Sequence, residues 1–273
     1  MNLISLFSGA GGLSKGFLDA GFDVVLGIDF DDSALKTFVN NHGKAKALKL
    51  DLFNLDNINY IISEFGREHN TLDVLVGGPP CQGFSLAGKR EEDDKRNMLY
   101  KSMVKLAEKM KPRAVVLENV PGMLTLYDSA VKKRIFNDFE KLGYKMSVKV
   151  LYAPEYGVPQ IRKRAFFVGL LNSKEEFTFP EPILSSENFI TCENAIGDLP
   201  SLEGIYGDEV QEYECSPQTK YQAEMRKNST KLYNNIGTIH SAKTVKMISL
   251  VPEGKNYKAL PEEYRNMYKY NEA

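Results

Sequence analysis

From Asn2 to Leu171, short runs of Leu, Ile, Val and Phe alternate with stretches whose apolar residues recur at helical spacing. A short apolar run bounded by turn residues reads as a buried strand, and the wider spacing as an amphipathic helix. Seven strands are predicted: Leu3 to Phe7, Val24 to Ile28, Ala45 to Leu50, Leu72 to Gly77, Ala114 to Glu118, Lys145 to Leu151 and Arg164 to Leu170. Helices are predicted between them at Leu13 to Ala20, Ser33 to Asn41, Ile58 to Glu68, Asn97 to Met110 and Ala130 to Leu142, with Gly21 and Gly143 as terminators. This alternation implies an α/β fold with a doubly wound, mostly parallel seven-stranded sheet covered on both faces. After Phe177 the pattern breaks: Pro180, Pro182, Pro200 and Pro217 lie among many Ser, Asn, Glu and Tyr residues, as in short elements joined by long loops. The predicted organisation is a sheet domain over residues 1–177 followed by an irregular segment over 178–273.

Composition narrows the class. With 273 residues and 42% hydrophobic content the chain can bury a full core. No apolar run approaches a membrane span, and the N-terminus enters a strand directly instead of a basic, cleavable leader, so a cytoplasmic protein without membrane attachment is expected. The three cysteines, Cys81, Cys192 and Cys215, show neither paired nor metal-ligand spacing, which argues against a disulfide framework and a zinc site. A net charge of −1 requires any DNA-binding face to be a local patch.

Candidate chemistry gathers where predicted strands end. Gly77-Gly78-Pro79-Pro80-Cys81-Gln82-Gly83-Phe84-Ser85 follows the fourth strand, and the two prolines cannot continue its hydrogen-bond ladder, so the chain turns at the sheet's carboxyl edge. Ligands bind at that edge in open α/β sheets. Taken alone, Cys81 fits a thiolate nucleophile or a small packed hydrophobe equally. Phe7-Ser8-Gly9-Ala10-Gly11-Gly12 joins the first strand to the first helix, where glycines let backbone approach a ligand, and Asp29 and Asp51 end the next two strands. Two strand-end acids beside a glycine turn favour an adenosine-type ligand, although either acid alone is as well explained as a helix cap. The glycines at 9, 11, 12 and 16 depart from the dinucleotide fingerprint, which makes a nicotinamide enzyme the second choice. Glu118-Asn119-Val120 closes the fifth strand, beside the Cys81 turn if the strands are neighbours; its bland reading is a helix cap. In Gln160-Ile161-Arg162-Lys163-Arg164 an extended backbone puts Arg162 and Arg164 on one face, suited to phosphate or carboxylate, or simply to solvent.

Taken jointly and in order, these motifs resemble the DNA cytosine-5 methyltransferases across roughly the first 170 residues. The resemblance implies the S-adenosylmethionine-dependent, Rossmann-like methyltransferase fold. It assigns Phe7, Gly9, Gly11, Asp29, Phe30, Asp51, Leu52, Pro80 and Leu99 to the S-adenosylmethionine pocket, with no metal. The second-strand acid is more often Glu in that family, so Asp29 is a departure that bears on its reach to the ribose. Cys81 would add to C6 of cytosine while protonated Glu118 bonds N3, making C5 nucleophilic enough to take a methyl group; Arg162 or Arg164 would favour the thiolate. The base must leave the stack to be reached, so duplex DNA is the implied substrate. The segment from Ser85 to Asn97, together with Gln82, Ser85, Lys89 and Arg90 as DNA-facing residues, is expected to close over it.

The family's later arginine-and-threonine and Gly-Asn-x-Val motifs are not present, while Thr238 to Thr244 and Ile248 to Tyr257 resemble the segment that leads into target recognition. The expectation is a truncated form or one subunit of a split enzyme, whose second subunit supplies target recognition and the closing motifs, with apolar surface exposed where a missing helix would dock. A cognate restriction endonuclease is a further expected partner. His240 is expected to be structural or at the DNA edge, and His42 and His69 to lie on helix surfaces. A transfer-RNA cytosine-5 methyltransferase and a catalytically silent DNA-binding subunit are the alternatives.

Overall fold

A computed structural model describes residues 1–80, 99–125, 129–202 and 206–265. The chain divides into two compact units, Met1–Phe189 and Ile190–Ala273.

The first unit is built on seven strands: β1 (Asn2–Leu6), β2 (Asp23–Asp29), β3 (Lys46–Lys49), β4 (Val74–Gly77), β5 (Ala114–Asn119), β6 (Tyr144–Tyr152) and β7 (Lys163–Leu171). They lie in the order β3-β2-β1-β4-β5-β7-β6. The first five are mutually parallel, and β7 runs antiparallel to both β5 and β6. The connection from β6 to β7 holds only a short 3₁₀ turn, Ala153–Tyr156, and a loop, too little for the crossover a parallel neighbour needs. The chain winds outward from β1 to β3 and then returns to place β4 on the other side of β1. The carboxyl ends of β1 and β4 therefore flank a switch point, where a crevice opens.

Five helices cover the sheet: α1 (Gly12–Asp19), α2 (Asp32–His42), α3 (Asn57–Gly66), α4 (Tyr100–Met110) and α5 (Ala130–Glu140). Successive strand side chains point to opposite faces, which splits the core in two. Ile4, Leu6, Leu75, Val115 and Leu117 pack with Ile58, Ile61 and Phe65 of α3, Met103 and Leu106 of α4, and Ile135 and Phe139 of α5. Leu3, Val24, Val74 and Val76 pack on the opposite face with Phe38 of α2 and Leu13, Phe17 and Leu18 of α1. Asp31 caps α2, its Oδ1 accepting from Ser33 N at 2.8 Å and Ala34 N at 3.1 Å. Those bonds hold its carboxyl below the usual aspartate range.

On the α1/α2 face, beyond β4, Leu13, Phe17, Val116, Phe166, Val168, Leu170, Phe177 and Phe179 line an apolar pocket of about 290 Å³. Residues 178–189 group with this first unit. They are tied to it by Tyr156 Oη donating to Pro180 O at 2.9 Å and Ile183 N donating to Glu155 O at 3.0 Å.

The second unit has short elements: α6 (Cys192–Ile196), β8 (Val210–Gln211), α7 (Lys220–Met225), β9 (Leu232–Tyr233), α8 (Ala242–Ser249) and α9 (Glu262–Arg265). Capping boxes at Thr191 and Thr219 open α6 and α7. Buried Asp198 accepts from Arg226 at 2.8 Å, and that guanidinium lies 3.6 Å from the Tyr213 ring centre, so the charge is paired and stacked. His240 is exposed. Among the described residues no helix is long and apolar enough to cross a membrane.

Candidate active site

The glycine-rich turn leaves β1 in left-handed backbone, with Phe7 at φ 53°, Gly9 at φ 51° and Gly11 at φ 93°. Phe7 is unusual there because its Cβ meets a steric cost that glycine escapes. Asp29, at the end of β2, braces the turn: its Oδ2 accepts from Gly9 N at 2.8 Å, and its Oδ1 from Phe30 N at 2.8 Å and Asp31 N at 3.1 Å. Asp51, after β3, turns its own loop, with Oδ1 accepting from Phe53 N at 2.9 Å.

Between these turns lies a pocket of about 330 Å³ lined by Phe7, Asp29, Phe30, Leu50, Asp51, Leu52, Phe53, Gly78, Pro80 and Leu99. Phe30 and Phe53 are 72% and 49% exposed, two large apolar rings at the rim of a cleft that also holds two carboxylates. Flat apolar faces with a few fixed polar groups suit a heteroaromatic ligand carrying hydroxyls. Ser8 Oγ is buried and has no hydrogen-bond partner among the described residues.

Next to this pocket, β4 and β5 run side by side, with Gly77 opposite Leu117. Glu118, one residue on, accepts at Oε1 from Arg164 Nε at 2.8 Å, and both side chains are about a quarter exposed, at 25% and 24%. The other carboxylate oxygen, Oε2, faces Gly78, 3.4 Å from where a Cβ would stand. Buried Asn119 donates from Nδ2 to Pro79 O at 3.0 Å and accepts at Oδ1 from Val120 N at 2.8 Å, which ties the double-proline turn to the end of β5. Cys81, Gln82, Ser85, Lys89 and Arg90 lie outside the described residues.

A family profile for C-5 cytosine-specific DNA methylases matches residues 1–272. The chain belongs to that family. It is 38% identical over 271 residues to the Type II methyltransferase M.DdeI of Desulfomicrobium norvegicum, an alignment covering 97% of this chain and 64% of that protein. It is 35% identical over 268 residues to M1.HphI of Haemophilus parahaemolyticus, covering 97% of this chain and 64% of the relative. A crystal structure of a putative DNA modification methyltransferase encoded within a prophage (E. coli) superimposes with a TM-score of 0.77 at 27% identity, covering 94% of this chain and 77% of that one. The chain therefore spans less than two thirds of the length of the curated relatives it matches.

Membership in this DNA methylase family implies S-adenosylmethionine as the methyl donor, and the pocket's aromatic rim and strand-end acids fit an adenosine group. Of the residues the sequence assigned to that pocket, Phe7, Asp29, Phe30, Asp51, Leu52, Pro80 and Leu99 line it. Gly9 and Gly11 do not. Gly9 enters through its amide, and a Cβ on Gly11 would lie 2.2 Å from His42 Cε1, so that glycine is dictated by packing beneath the turn. Phe53, Leu50 and Gly78 complete the lining and went unassigned, since alternation marks strands and not which loop residue reaches a cleft.

Of the two arginines expected on one face, Arg164, within β7, reaches Glu118, whereas Arg162 precedes the strand and is exposed. Two sequence expectations need correction. His42 is not on a helix surface but 4% exposed. Leu35, Phe38 and His42 form the buried stripe of α2 at three- and four-residue spacing, a signal present in the sequence. His69 lies beyond the end of α3, half-buried, with its ring centre 5.1 Å from that of Phe65.

Proposed function

We infer that this chain carries the cofactor-binding and catalytic residues of an enzyme that methylates C5 of cytosine within a specific double-stranded DNA sequence. The observation that carries this reading is the Glu118–Arg164 pair at the end of β5, beside the Gly78-Pro79-Pro80 turn that leads directly into Cys81. Cytosine C5 is too weak a nucleophile to take a methyl group unaided. Attack of the Cys81 thiolate on C6 moves the C5–C6 π electrons onto C5 and toward N3, where a proton shared between N3 and Oε2 of Glu118 stabilises them, the carboxyl acting as donor only while it carries that proton. Arg164 holds Oε1 of Glu118, which leaves Oε2 to face the turn and the flipped base. Phe30, Phe53, Asp29 and Asp51 would hold S-adenosylmethionine, which when bound would supply an electrophilic methyl group on a sulfonium. A water or hydroxide from solvent then takes the C5 proton, and the C–H electrons re-form the C5–C6 double bond as the C6–S bond breaks and the Cys81 thiolate leaves.

Because the chain spans less than two thirds of its curated relatives, target recognition is assigned to the region matching their remaining third, encoded with this chain or in a second polypeptide. The relatives are named Type II methyltransferases, which supports a place in a restriction-modification system with a cognate endonuclease.

Duplex DNA carrying 5-fluorocytosine, incubated with S-adenosylmethionine and the chain joined to that region, should trap a protein–DNA adduct that survives denaturation. Cys81→Ala should form none while binding S-adenosylhomocysteine as tightly as the parent. An adduct in Cys81→Ala would remove the assigned nucleophile. Methyl incorporation into transfer RNA in place of duplex DNA would replace the substrate class.

A further inference from the structure

The glycine turn rests on a hydrogen-bonded histidine that the reaction does not use. His42, the last residue of α2, is 4% exposed and its ring stacks on Phe38, centroids 4.2 Å apart with an interplanar angle of 11°. Its Nδ1 lies 2.8 Å from the Phe38 carbonyl oxygen. That oxygen only accepts, so Nδ1 carries a proton and donates to it. Ser14 Oγ lies 3.1 Å from Nε2 and 3.2 Å from the Gly11 carbonyl. The Gly11 carbonyl accepts both Lys15 N at 2.8 Å and Ser14 Oγ, one on each lone pair, and the same Ser14 hydroxyl pairs with Nε2 of the histidine. Every group in this buried set is then satisfied, as burial demands. The ring also fills the space beneath Gly11, where a Cβ would meet Cε1 at 2.2 Å.

We propose that His42 and Ser14 are positioning residues for the methyl donor. They latch the last turn of α2 to the first turn of α1 and so fix the turn from Phe7 to Gly11, left-handed at Phe7, Gly9 and Gly11, in the shape that receives the ligand. On the β2 side the turn is anchored by Asp29 on Gly9 and by Ser8 N donating to Ile28 O at 3.0 Å, and on the α1 side Ser14 with His42 supports Gly11. Losing the latch releases one end of the turn and leaves the sheet intact. The inference rests on the proposed function, because its ligand is the donor assigned there.

Binding of S-adenosylhomocysteine to the full chain, by titration calorimetry, tests it with Ser14→Ala, His42→Gln and the double variant. Each single variant should bind about tenfold more weakly, a difference of about 1.4 kcal/mol, and the double variant about as weakly as either single one, since both lose the same bond. Amides of residues 9–13 should exchange hydrogen faster in the ligand-free variants. In the methylation assay KM for S-adenosylmethionine should rise while kcat stays within about twofold. A packing role alone would lower the urea midpoint and leave both affinity and loop exchange unchanged, which would overturn the latch. If His42→Gln does not fold, Ser14→Ala, which removes one oxygen atom, tests the same bond by the same measurements. Failure of the parent chain to bind S-adenosylhomocysteine would overturn the donor assignment itself, and the latch with it.

Discussion

Replacing Arg164 by Met should uncouple Glu118 from its anchor, and the size of the effect follows from the geometry. The Nε–Oε1 distance of 2.8 Å is that of a charge-assisted hydrogen bond. Unit charges about 4 Å apart attract by about 4 kcal/mol at an effective dielectric constant of about 20. Each side chain keeps about a quarter of its surface in water, at 24% and 25%, so screening and the cost of partial desolvation remove much of that. A net coupling of about 1–2 kcal/mol remains, above the typical exposed pair and below a fully buried one. The assay is a double-mutant cycle with Arg164→Met, Glu118→Gln and both together, followed by urea unfolding at low and high salt. Activity supplies a second reading, because a Glu118 free to rotate should lower kcat about tenfold or more, with S-adenosylhomocysteine affinity unchanged. A coupling energy under about 0.5 kcal/mol would show an ordinary surface pair and refute the assignment of Arg164 as the residue that orients Glu118. Arg162→Met provides the control for the pair: exposed and outside the strand, it should show no coupling to Glu118→Gln in the same cycle.

Gly27→Ala should destabilise the sheet domain by about 1–3 kcal/mol through overpacking, because its Cβ would stand 2.4 Å from Phe38 Cζ; an unmoved urea midpoint would contradict the packing of α2 on β2. Asp29→Asn replaces the oxygen that accepts from Gly9 N with an amide that can present a second donor, and should weaken S-adenosylhomocysteine binding by about tenfold; equal affinity would mean the carboxylate does not shape the turn. Phe53→Ala, at a ring 49% exposed, should weaken the same binding and leave the unfolding midpoint in place, whereas the reverse pattern would make Phe53 a packing residue. The Asp31 carboxyl is depressed by the Ala34 and Ser33 amides, so its capping stability is full above the ordinary aspartate value of about 3.9 and is lost as pH falls through its lower folded value. The stability difference between the parent and Asp31→Asn should therefore shrink in that acid window, and a difference independent of pH would count against the cap.

Much of this molecule is legible in residue order because strands, helices and their turns are local consequences of spacing. The seven apolar runs become seven strands to within two residues at each end, and the glycine turn, Asp29, Asp51 and Glu118 fall at strand ends as their positions require. A strand-end residue in an α/β sheet has one destination, the carboxyl edge, so which residues gather there was decided before folding. What only the tertiary structure decided is the partner each of them takes. Arg162 and Arg164 are equivalent by alternation, and the register of β7 on β5 makes one of them the partner of Glu118. Asp29 has the chemistry of a ribose ligand, yet its position turns both oxygens toward backbone amides. The burial of His42 follows the spacing of Leu35, Phe38 and His42 along α2, but that its ring meets Gly11 and Ser14 of the preceding turn and helix is a juxtaposition that spacing alone does not encode.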